Sequence, residues 1–250
     1  MAQKNNNGLT AAIVFAGVAI SGSLVFFGTQ LGGGLNDEEL QTQIFKGIDA
    51  YIEKQQGEYA AQQAEAAKPT PQYVEGDFSD DDPFMGDKDA PVTIVEWSDY
   101  ECPYCTRFYE ETLGDIEKNY VETGKVKFVY RDFPLSFHAK AYPAALLAEC
   151  AREQGGDKVY FEIHNKIFEE GFDKDKLFSY AASIGVDEGG LTKCIEEDRY
   201  KEEIYADMDA GSAIGISGTP GFVVGSEVIS GAVPYDVFEK AIEKALADAE

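Results

Sequence analysis

Two cysteines stand three positions apart in Cys102-Pro103-Tyr104-Cys105. A pair at this spacing serves either a metal or thiol–disulfide exchange. A structural zinc site would need a second pair or nearby histidines. The remaining cysteines, Cys150 and Cys194, stand alone, and the two histidines, His138 and His164, have no ligand-like spacing from any of them. Redox chemistry by the thiols themselves is therefore expected, with neither metal nor cofactor. Pro103 suits the first position of a helix, where its missing N–H has no partner to lose. Cys102 then sits at the helix start, where free N–H groups and the helix dipole favour a thiolate, the form that attacks disulfides. Cys105 falls inside the first turn, less exposed, and is expected to resolve the mixed disulfide or close the internal one. Tyr104, between them, is assigned to substrate contact.

These side chains need a strand before them and a helix after them. PVTIVEW, ending at Trp97, is β-branched and apolar enough for a buried strand, and KVKFVY, ending at Tyr130, reads as a second. Apolar spacing predicts helices over 138–152, 159–168, 177–184 and 200–213, a helical block of about 136–213. GFVVG and VIS read as a hairpin turning at Gly225-Ser226, and the chain closes with an amphipathic helix from Val233 to Ala249. The order is strand, helix, strand, helical block, hairpin, helix, an α/β domain spanning 84–250.

PVTIVEWSDYECPYC, RDFPL, AALLAECA and GTPGFVVG, in that order, resemble the DsbA-like branch of the thioredoxin superfamily over roughly residues 84–250. The resemblance implies a thioredoxin-like fold with an inserted helical block. It makes Cys102 the nucleophile and Cys105 the resolving cysteine. Pro220, after Thr219, matches the family's cis-proline loop, whose backbone at Thr219 is expected to pair with extended substrate. Glu96 matches a buried acid beneath the cysteines, which would move protons to and from Cys105; Asp99 is the alternative acid. The resemblance also implies a structural disulfide between Cys150 and Cys194, because some members carry such a bond in the helical block. Where the family often has Pro-His, this chain has Pro103-Tyr104, so no histidine cation stands beside the thiolate. Pro-Tyr also occurs in glutaredoxins, but the stretch from Cys105 to Pro220 is too long for that compact fold. Trp97 is read as core packing, His138 as a capping or surface residue and His164 as an ordinary helical histidine.

Residues Leu9 to Leu31 carry no charge; at 1.5 Å per residue they reach roughly 34 Å, enough for a bilayer core of about 30 Å. Lys4 precedes the run and Asp37, Glu38 and Glu39 follow it, so residues 1–34 are expected to anchor the chain in a single pass with the domain outside the cytoplasm. A cleaved signal peptide is the competing reading, and both export the same domain. Residues 35–83 are expected to be an amphipathic helical stalk and acidic linker; Leu40, Ile44, Ile48, Tyr51 and Ile52 form a stripe within 37–55 that a homo-oligomer could use. The net charge of −25 argues against nucleic acid and anionic lipid as partners of the soluble part. The function expected is introduction of disulfides into exported cysteine-containing proteins, with a membrane quinone-linked thiol oxidase as recycling partner. The alternatives are a reductase or isomerase using the same site, or a tethered, non-catalytic peptide-binding module.

Overall fold

Residues 37–66 and 72–249 are described by the structure, a computed structural model. The chain divides into two units, residues 1–70 and 71–250. In the first, Asp37–Ala66 forms one helix, α1, of 30 residues. Phe45 and Tyr51 are exposed along it, whereas Ile48 and Ile52 are half-buried. Among the described residues no helix is long and apolar enough to cross a membrane, and the span expected at Leu9–Leu31 lies outside them.

The second unit opens with β1 (Gln72–Tyr73) and β2 (Phe84–Met85), followed by β3 (Val92–Ser98). Helix α2 (Pro103–Phe108) continues through wider helical turns to Val121 and leads into β4 (Val126–Asp132). Four helices follow: α3 (Ala141–Glu170), α4 (Lys174–Ser183), α5 (Glu188–Glu196) and α6 (Lys201–Ala213). The hairpin β5 (Gly221–Val224) and β6 (Glu227–Ser230) and the helix α7 (Tyr235–Ala249) complete it. The sheet runs β1-β6-β5-β3-β4-β2, with β3 and β4 parallel and every other pair antiparallel.

Central position explains the composition of β3, which is buried at every residue but Thr93. Side chains alternate across a sheet. Ile94 therefore joins Phe108, Phe128, Phe222 and Phe238 on the side covered by α2 and α7, while Val95 and Trp97 join Val129, Val223 and Ile216 on the other. A third cluster fills the helical block with Ala144, Leu147, Ile163, Leu177 and Leu191 and reaches Cys105 and Tyr130.

The structure corrects one boundary. Residues 72–83 are no linker: Gln72 pairs with Val228, and Asp82 is buried with its carboxylate 2.9 Å from Arg131. Arg131, only 3% exposed on β4, also meets Asp207 at 2.6 Å. A buried guanidinium needs such partners, and acidity in the sequence does not reveal that its counter-ion is inside. The two helices expected over 138–152 and 159–168 are both present within Ala141–Glu170, parted by a non-helical break at Gly156, whose φ of 68° suits glycine.

Candidate active site

Cys102 is the residue at which extended backbone turns into helix, with φ −76° and ψ 122°, and Pro103 takes the first helical position. Both Cys102 and Cys105 are free thiols, 4% and 0% exposed. The Cys102 Sγ lies 3.4 Å from the Thr219 carbonyl oxygen. Hydrogen bonding from the Cys105 thiol does most to lower the Cys102 pKa, to about 5; the Thr219 side chain and the N–H groups of Cys105 and Tyr104 add to it, while burial opposes it. Burial pushes the Cys105 thiol well above its ordinary value, and hydrogen bonding to Cys102 and the charge of Glu96 raise it further. One thiol is thus favoured as the anion, and the other holds its proton.

Thr219 is far away in sequence but adjacent through the sheet. β5 runs antiparallel beside β3, pairing Trp97 with Gly221, so the residues just before β5 arrive where β3 ends. The Thr219–Pro220 peptide is cis, and Pro220 is buried. Tyr104 is 56% exposed beside the pair, with the Arg107 guanidinium 5.2 Å from its ring.

Glu96 lies on β3 between Tyr130 and Phe222. Burial raises its carboxyl to about 8, against the lowering influence of the nearby Ser98 side chain. The other acid weighed from sequence, Asp99, is turned toward the segment after β4, where it meets His138. The surroundings of Glu96 were not legible in the chain: Ser98 and Tyr130 are both buried, and each hydroxyl lacks a partner within hydrogen-bonding geometry among the described residues. Ser98 could have been picked out, since it shares a strand face with Glu96; Tyr130 required knowledge of the β3–β4 register.

The remaining sites fall away from the pair. Cys150 on α3 and Cys194 on α5 are joined by a disulfide, with Cα atoms 5.8 Å apart. Trp97 is fully buried, its indole N–H donating to the Asp207 carbonyl at 3.0 Å. His164 is enclosed by Tyr100, Tyr109, Tyr130, Phe161 and Phe168, and burial lowers its pKa to about 4.

Three comparisons bear on this arrangement. A family model described as thioredoxin matches residues 78–244. Disulfide bond formation protein D of Bacillus subtilis is 28% identical over 172 residues, covering 66% of this chain and 77% of that protein. A Na(+)/H(+) antiporter, NhaA 3, of Salinispora tropica is 31% identical over 173 residues, but the chain spans only 26% of that protein. Among solved structures, oxidised BdbD from Bacillus subtilis is similar with a TM-score of 0.63 at 28% identity, covering 72% of this chain and 100% of that one.

Proposed function

Since the chain belongs to the thioredoxin family and is a DsbA-like protein-disulfide oxidoreductase, we propose that it works as an oxidase, introducing disulfides into exported proteins through Cys102 and Cys105. The observation that carries this direction is the divergence of the two thiols. A Cys102 thiolate held down to about 5 stabilises the reduced site, and a couple whose reduced form is favoured draws electrons from its clients.

In the first step a client thiolate attacks the Cys102 sulfur of the Cys102–Cys105 disulfide. The bond between the two cysteines breaks, and its electron pair leaves on Cys105. Glu96, protonated at neutral pH because burial holds it near 8, is placed to give that thiolate a proton. The client's second thiolate then attacks its own sulfur in the mixed disulfide and releases Cys102 as a thiolate. Two electrons have passed to the enzyme and one disulfide to the client. Extended client backbone would pair at Thr219, with Tyr104 against its side chains. A membrane quinone-linked thiol oxidase would remove the two electrons, and the uncharged run Leu9–Leu31 would tether the domain outside the cytoplasm beside such a partner.

The test is the equilibrium of Cys102 and Cys105 with a glutathione redox buffer, followed by Trp97 fluorescence. We expect a potential well above that of the reducing thioredoxins, for which about −270 mV is typical. A value at or below that mark would overturn the oxidase direction.

A further inference from the structure

Asp99 and His138 take no part in the exchange chemistry above, yet they are tied to the turn that carries Cys102. Asp99 stands three residues before the nucleophile, and its side chain is fully buried. One carboxylate oxygen accepts the Glu101 N–H at 2.7 Å. The other accepts the Leu135 N–H at 2.8 Å and lies 2.8 Å from His138 Nδ1. The Asp99 carbonyl accepts the Cys102 N–H at 3.0 Å. Glu101 makes a parallel link, its carboxylate accepting the Lys140 N–H at 2.6 Å. Because β3 and β4 are parallel, residues 99–102 and 133–140 leave the sheet at the same end, the end that bears the cysteines.

A carboxylate only accepts, so the Nδ1 facing it carries the hydrogen. A buried carboxylate is tolerated when its lone pairs are used, and hydrogen bonds to an ionised acceptor are among the stronger ones. The imidazole, 16% exposed, supplies the only side-chain donor to Asp99 among the described contacts. The other charged neighbours of the linkage include Glu101, Lys140 and the buried Asp132 carboxyl, which burial pushes up and the charge of Asp99 raises further, and the exposed Phe137 ring stands edge-on to the imidazole at 4.5 Å.

We infer that Asp99 and His138 form a positioning couple for the nucleophile. His138 holds Asp99, and Asp99 holds the 99–102 turn, so that the Cys102 sulfur stays within reach of the Tyr104 and Cys105 N–H groups and the Cys105 thiol. Neither residue touches the client. The inference rests on the reading of Cys102 as an activated nucleophile.

The test uses the reduced full chain as wild type, His138→Ala and His138→Asn. Thiolate absorbance and iodoacetamide labelling give the Cys102 titration midpoint, and thermal melting is recorded alongside. We expect His138→Ala to raise the midpoint by about one pH unit and to slow disulfide exchange about tenfold. His138→Asn should restore both, since its amide N–H can replace the Nδ1 hydrogen toward Asp99. An unchanged midpoint in His138→Ala, with or without a lower melting temperature, would overturn the couple. A raised midpoint that His138→Asn leaves uncorrected would assign the effect to imidazolium charge and overturn it equally. An ordinary thiol midpoint in the wild-type chain is a separate failure, one that removes the activated nucleophile itself.

Discussion

Cys102 and Cys105 are the same residue type three positions apart, so the split in their proton affinities comes from surroundings alone. Cys102 receives hydrogen bonds at the start of α2, whereas Cys105 is sealed under it beside Glu96. The sign of the pH effect follows. A depressed pKa stabilises the reduced form fully above the ordinary thiol value, and that advantage is lost as pH falls through about 5. Above that point one proton accompanies two electrons, so the potential should fall by about 30 mV per pH unit; below it two protons are taken up and the slope should approach about 59 mV. Measuring the potential across the acid range checks this, and a single slope through pH 5 would contradict the assignment. Glu96 should add a smaller bend near 8 that Glu96→Gln removes.

At the scale of elements, the site depends on α6 lying close against β3. Gly211 permits this: a Cβ there would come within 2.8 Å of the Trp97 ring. Trp97 cannot retreat, because its indole N–H is bound to the Asp207 carbonyl. Two effects of Gly211→Ala oppose each other. Alanine favours the helix by about 1 kcal/mol, and overpacking a filled core costs about 1–3 kcal/mol. With a fixed ring the second should win, giving a net loss of up to about 2 kcal/mol and a melting temperature lower by up to about 8 °C. Thermal unfolding would show it; a higher melting temperature would mean that the helix and sheet can separate without loss.

Over the whole molecule, the disulfide between Cys150 and Cys194 closes a loop of 44 residues within the helical block. Its loss should release unfolded-chain entropy on the order of 2–4 kcal/mol. The paired substitution Cys150→Ala with Cys194→Ala should therefore lower stability by that amount in denaturant unfolding. The Cys102 titration midpoint should hold, because the bond joins α3 to α5 and makes no contact with the thiolate's hydrogen bonds. A shifted midpoint would show that the helical block acts on the nucleophile directly.

Chemistry that is local in the chain could be read from the chain. Pro103 after Cys102 announces a helix start, and a helix start favours an anion, so the proposal of Cys102 as nucleophile needs only a few consecutive residues. The β-branched run at 92–98 and the hairpin at 221–230 were equally legible, since each follows from its own residues. The partners of those residues were not. Glu96 is an acid near 8 because a strand places it between two others, and Asp99 is drawn to His138 by a parallel crossover. The run Asp80-Asp81-Asp82 looked like solvated linker until the fold set buried Arg131 against it. Periodicity reports which side of an element is apolar; only tertiary structure decides which charge it meets there, because Coulombic and hydrogen-bond terms depend on distances the sequence does not contain. The Cys102-Pro103-Tyr104-Cys105 motif by itself pointed to sulfur chemistry, and the packing around it decided which sulfur holds the proton.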